Sequence, residues 1–191
     1  QDRIEALTWL IYGALSGGTI TIEGVPFDAM KIPLIHIRDT GIDFYQNSNN
    51  IYISPECIKL SIIQPFELAC GTHPGIISDM QPFFTLLGLH AEGISRIFDY
   101  RYPERIQYCT ELEKMYPNSI KYEKGKITTY GTEKPQGSVV QSTDLRGSMA
   151  IIIGALLAEG KSVINNAEMA LRGYNNLDEK FKSLGIEIIF E

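Results

Sequence analysis

The sequence predicts an α/β fold made of three copies of one supersecondary unit, with helices at the centre and small sheets outside. Three observations carry this prediction. First, an acidic residue, a long apolar helix, a glycine, a strand, a second helix and another strand recur in that order. Asp2, Asp79 and Asp144 open the copies, Gly18, Gly93 and Gly160 close the first helices, and the period is about 65 residues. Second, the first helices are apolar nearly all round: residues 7–15, 83–89 and 149–157 show no polar stripe, so they are predicted to be buried. Third, the second helices, such as residues 177–182, are amphipathic and are predicted to cover an outer face. Three buried helices ringed by three sheets invert the common layering, in which sheets lie inside.

The elements follow in order. The first copy, residues 2–55, is predicted to start with a helix over 3–15, with Asp2 as N-cap and Glu5 at the capping-box position. Gly17 and Gly18 stop it. A strand over 19–23 and a helix over 30–39 follow. Strands over 42–45 and 51–54 flank the polar turn 46–50. Residues 58–69 read as a mostly extended connection. The second copy, residues 73–132, has a helix over 80–91, where Pro82 is tolerated in the first turn, and a strand over 94–98. Its second helix, 104–115, breaks at Tyr116-Pro117. Strands over 120–122 and 126–130 pair about Lys124-Gly125. The third copy, residues 142–191, has a helix over 145–158, a strand over 162–165, a helix over 177–183 and a strand over 186–190.

Composition narrows the function. With 44% hydrophobic and 21% charged residues the chain is globular, and no apolar run reaches the length of a membrane span. A net charge of −6 argues against a nucleic-acid partner, because binding a phosphate backbone needs a basic surface. The odd count of cysteines, Cys57, Cys70 and Cys109, without CxxC spacing, predicts reduced thiols and a cytoplasmic location. Cys109 reads as an ordinary half-buried thiol rather than a nucleophile. His36, His73 and His90 are scattered, so no metal site is predicted. The chain opens at Gln1 without an initiator Met, which reads as a segment of a longer polypeptide.

Candidate site residues are the acids that open the copies and the late arginines Arg101, Arg105, Arg146 and Arg172. An aspartate before a helix is most simply an N-cap. Ser78 can cap in place of Asp79, which would leave that carboxylate for a ligand. Asp144 and Arg146 flank a helix start, where free N–H groups and a guanidinium suit an anion. In Arg172-Gly173-Tyr174, the glycine permits close backbone approach to a ligand.

The order Asp2-Arg3-Ile4-Glu5, Pro74 through Asp79-Met80-Gln81, Ala91-Glu92-Gly93, Arg105, Thr143-Asp144-Leu145-Arg146, Ala158-Glu159-Gly160 and Arg172-Gly173-Tyr174 resembles the enolpyruvyl transferases. The resemblance spans the whole chain. It implies an inside-out α/β barrel of three βαβαββ-type units, forming the C-terminal domain of a two-domain enzyme whose N-terminal partner domain is absent. The implied reaction moves the enolpyruvyl group of phosphoenolpyruvate to the 3-hydroxyl of UDP-N-acetylglucosamine and releases phosphate, without a cofactor. Asp79 would orient that hydroxyl and take its proton. Arg105, Arg146 and Arg172 would hold phosphate and carboxylate, Asp144 would orient groups at the reacting carbon, and Arg101 would lie by the nucleotide sugar. A non-catalytic UDP-sugar-binding module and the shikimate-pathway transferase stay open as alternatives.

Overall fold

In a computed structural model, residues 2–131 and 134–189 are described. Asp2 caps helix α1 (Arg3–Ser16): its Oδ1 accepts from the Ile4 backbone N–H at 2.8 Å. Gly17, at φ 68°, ends the helix in the left-handed conformation. Glu5 does not close a capping box. Its Oε1 accepts instead from Trp9 Nε1 and the Lys180 ammonium, because a charged donor outweighs a backbone N–H.

Strand β1 (Ile20–Ile22), helix α2 (Phe27–Asp39) and strands β2 (Tyr45–Gln46) and β3 (Ile51–Ile53) complete the first group. Helix α2 starts one residue after Pro26, earlier than predicted. The strand predicted over 42–45 shrinks, because the Asp43 N–H bonds to Cys57 O and Gly41 O accepts from Lys59 N. These bonds draw the backbone away from β3.

Strand β4 (Glu67–Cys70) arises inside what the sequence suggested was a connection. It pairs in parallel with β5 (Ile94–Asp99). Between them runs α3 (Gln81–Leu89), entered through a 3-10 turn over Ser78–Met80. Helix α4 (Gln107–Met115) starts three residues later than predicted, so Tyr102 to Arg105 form a turn closed by Arg105 N to Tyr102 O. Strands β6 (Ile120–Glu123) and β7 (Lys126–Tyr130) form the predicted hairpin.

The third group has β8 (Val139–Gln141), which was not foreseen. It continues with α5 (Leu145–Leu157), β9 (Val163–Asn165), a four-residue helix α6 (Glu168–Leu171) that was also missed, and α7 (Leu177–Ser183). The strand predicted over 186–190 does not form at residues 186–189, and Phe190 lies outside the described residues. The sheets explain this. In the order β1-β3-β2, and again in β4-β5-β7-β6, the second hairpin strand sits centrally and binds both neighbours. Beside β8-β9 no such strand exists among the described residues, so residues 186–189 have no ladder to join.

Helices α1, α3 and α5 pack on one another and are mostly buried, all nine residues in the case of α3. The outer helices α2, α4 and α7 bury one stripe each. Close approach of α3 to the second sheet depends on Gly88, where a Cβ would stand 2.5 Å from Thr129 Oγ1 and 3.1 Å from Ser95 Cβ. Thr129 Oγ1 is itself buried without a hydrogen-bond partner.

Two predictions follow from this packing. Gly88→Ala gains about 1 kcal/mol of helix propensity but overpacks the interface by about 1–3 kcal/mol. Urea titration should therefore show a net loss, and most of it should vanish in a Thr129→Ala background. The second concerns His90, whose Nε2 lies 2.8 Å from Tyr116 Oη and whose burial pulls its pKa down to about 4. The unfolded chain takes up this proton below about pH 6.5, the folded one only near the lowered value. The contribution is therefore complete above the unfolded pKa, falls as pH drops towards 4, and amounts to at most about 3 kcal/mol. Denaturation midpoints of His90→Gln should be flatter than wild type across this window.

Candidate functional site

The three buried helices place their starts at one end of the molecule. Asp2 caps α1 and Asp144 caps α5. Asp79 lies in the turn leading into α3. Asp144 Oδ1 accepts from the backbone N–H groups of Arg146 and Gly147, both at 3.1 Å. Converging helix N-termini carry partial positive charge, which favours carboxylates there.

Two guanidiniums stitch the three carboxylates together. Arg105 donates from Nη1 to Asp79 Oδ1 at 2.6 Å and from Nη2 to Asp144 Oδ1 at 3.2 Å. Arg146 donates from Nη2 to Asp2 Oδ2 at 3.3 Å and from Nη1 to Gly173 O at 3.3 Å, and its Nε stands 3.8 Å from Asp79 Oδ2. The Arg146 side chain is 10% exposed and that of Arg105 23%. Burial alone would lower the Arg105 pKa, but the hydrogen bonds and charges of Asp79 and Asp144 raise it instead. Arg105 is therefore a fixed positive charge. The Tyr174 ring lies 5.3 Å from the Arg146 guanidinium carbon, and its hydroxyl is 2.9 Å from Thr8 Oγ1. Burial pushes that phenol up to about 12, against the opposing effects of Thr8 and Arg146.

Beside this network opens a cleft of about 690 Å³, lined by Asp79, Arg101, Tyr102, Glu104, Arg105 and Gln107 among others. The late start of α4 creates it, since the turn from Arg101 to Arg105 forms one wall. Of the predicted site residues, Asp79, Arg105, Asp144 and Arg146 meet in one network, and Arg101 lines the same cleft. Arg172 is exposed at the end of α6, and its side chain makes no hydrogen bond or ion pair among the described residues. Sequence reasoning missed the double role of Asp2 as cap and ion-pair partner, and the support of Tyr174 and Thr8. The acid that opens each copy was the only signal for the first.

Three local readings need correction, those of Ser78, Asp79 and the half-buried Cys109. Ser78 does not cap α3: its Oγ is buried without a partner. Asp79 is not left free either, because the Arg105 guanidinium claims it. Gly173 packs on Leu145, whose Cδ2 would stand 2.8 Å from an added Cβ. Cys109 is fully buried and burial pushes its thiol up, so it holds no reactive thiolate. Among the described residues no group of His, Cys, Asp or Glu could hold a metal ion, and no helix is long and apolar enough to cross a membrane.

The double role of Asp144 gives a stability test. Asp144→Ala removes both cap and ion pair and should cost about 1–2 kcal/mol. Asp144→Asn keeps a capping oxygen and should stay within about 0.5–1 kcal/mol of wild type. Thermal denaturation of the two variants side by side reads the difference.

Comparison with known proteins fits this geometry. Residues 1–181 match the family model for EPSP synthase (3-phosphoshikimate 1-carboxyvinyltransferase). A UDP-N-acetylglucosamine 1-carboxyvinyltransferase of Campylobacter lari is 36% identical over 98% of this chain and 44% of its own length. One from Methylacidiphilum infernorum is 30% identical over 98% of this chain and 43% of its own. Among solved structures, the enolpyruvyl transferase NikO from Streptomyces tendae superposes with a TM-score of 0.84 at 25% identity, over 97% of this chain and 43% of that one. An EPSP synthase from Acinetobacter baumannii shares the fold, with a TM-score of 0.78 at 16% identity over 98% and 46% of the two chains. The chain thus spans less than half the length of the relatives it matches.

Proposed function

The chain belongs to the EPSP synthase family, and from that premise we propose that it forms the C-terminal half of an enolpyruvyl transferase. The donor is phosphoenolpyruvate and the acceptor the 3-hydroxyl of UDP-N-acetylglucosamine, in the cytoplasmic synthesis of cell-wall precursors. The relatives at 30% and 36% identity carry that acceptor in their names, which favours it over 3-phosphoshikimate. The observation that carries the reading is the network of Asp79, Asp144, Arg105 and Arg146 at the rim of a cleft that also holds Arg101.

In this reading the acceptor oxygen adds to C2 of phosphoenolpyruvate while C3 takes a proton. Phosphate then leaves as C3 gives a proton back. Asp79, with 42% of its side chain exposed at the cleft, orients the hydroxyl and accepts its proton. Arg105, Arg146 and Arg172 hold the phosphate and carboxylate, Asp144 orients groups at the reacting carbon, and Arg101 reaches the nucleotide sugar. Both terminal nitrogens of Arg105 are engaged by carboxylates before substrate arrives. Each of these nitrogens keeps a second N–H, so a phosphate can bind Arg105 beside the aspartates, and drawing the guanidinium towards it would free Asp79 to act as a base. The chain alone supplies one face of the site and is inactive without the partner domain, whose closure would exclude water.

The three helix–sheet groups, residues 2–55, 73–132 and 142–191, are in this reading three copies of one unit forming an inside-out barrel within a single domain. The acid at each first-helix start and the shared position of β3 and β7 support it.

The test is phosphate release from phosphoenolpyruvate, with UDP-N-acetylglucosamine as acceptor, by the protein as the cell makes it. Asp79→Ala should lower the rate by about 10²–10⁴-fold, and Arg172→Ala should weaken use of phosphoenolpyruvate. Release with 3-phosphoshikimate only would reassign the acceptor. Binding of the sugar nucleotide without any release would point to a non-catalytic module.

A further inference from the structure

Asp99, the last residue of β5, is 0% exposed and forms no ion pair among the described residues. A carboxylate taken out of water without a cation is costly unless hydrogen bonds replace its hydration. Three N–H donors do so here. Oδ1 accepts from the backbone N–H groups of Arg101 and Tyr102, both at 3.0 Å, and Oδ2 accepts from Gln81 Nε2 at 3.4 Å. The first two bonds set the turn that carries Arg101 into the cleft wall, as a side-chain acceptor at the head of a turn does. The β6–β7 hairpin clasps the same turn, through Asp99 N to Gly125 O at 2.9 Å and Gly125 N to Pro103 O at 3.0 Å. The third bond reaches the segment that carries Asp79: Gln81 opens α3 two residues after it, and its Oε1 accepts from the Tyr108 hydroxyl of α4 at 3.1 Å.

We propose that Asp99 is a positioning residue that sets the spacing between Asp79 on one wall of the cleft and Arg101 and Arg105 on the other. The inference rests on the function proposed above for what the cleft binds. Asp99 touches no substrate; it acts through two backbone amides and one side-chain amide. Without its acceptor oxygen those amides turn to water and the turn that carries Arg101 and Arg105 loosens. Misplacement of a binding group by about 1 Å can cost about 10²-fold in rate.

The experiment combines steady-state kinetics of the protein as the cell makes it with amide hydrogen exchange over residues 100–105. Asp99→Ala is expected to raise KM for the sugar nucleotide about tenfold or more and to speed exchange at Arg101 and Tyr102, while Asp99→Asn, which keeps Oδ1, stays within about threefold on both. A purely stabilising role would move the melting temperature and leave KM alone. The proposal is overturned if the Ala variant matches wild type on both readouts, or if Asn is as damaging as Ala. Should Asp99→Ala not fold, Gln81→Leu cuts the Asp99 link to α3 together with the Tyr108 bond, Tyr108→Phe serves as the control for the latter, and a KM for Gln81→Leu equal to wild type overturns the proposal equally. A wild-type protein that transfers no enolpyruvyl group sinks the function reading alone, and the exchange data then decide Asp99 by themselves.

Discussion

Three helices without polar faces must hide from water, and the arrangement of this molecule follows from that requirement. Neither α1, α3 nor α5 can lie on a surface, so they pack against one another and the sheets and amphipathic helices close around them. Burial of this kind is non-directional and proportional to apolar area, and by itself it sets no register. Register comes from small residues at the contacts, as at Gly88, where the helix approaches Ser95 and Thr129 more closely than any side chain allows.

Gathering three helix starts at one end gathers their free N–H groups and partial positive charges there as well. Aspartates answer both needs, as caps for α1 and α5 and as a carboxylate in the entry turn of α3. Three carboxylates so close together would repel one another, and Arg105 and Arg146 relieve this by standing between them. The same groups that quiet the helix ends thus form a polar network in which guanidiniums and a carboxylate can exchange partners. Chemistry and fold share residues here, so substitutions in this network should move stability and activity together.

Much of the fold was legible in advance. The Lys124-Gly125 turn between two short strands marked the β6–β7 hairpin, and Asp2 and Gly17 marked the ends of α1 within a residue. Short elements escaped. β8 has three residues and β4 four, too few for periodicity to register, and both exist because a parallel neighbour supplies their ladder. Residues 186–189 failed in the opposite way. Their alternation is that of a strand, but a strand is a pairing, and no partner stands beside them among the described residues.

The sequence by itself determined which helices are buried and where acids open them. Those are matters of residue type and spacing, which survive without coordinates. Only the tertiary structure decided that Arg105 and Arg146 bridge Asp2, Asp79 and Asp144, that Arg172 stands apart, and that Asp99 ties the cleft walls together. Such partnerships join residues as far as 144 positions apart in the chain. Ion pairing depends on distance in space and on shielding from water, and neither is written in the order of the residues.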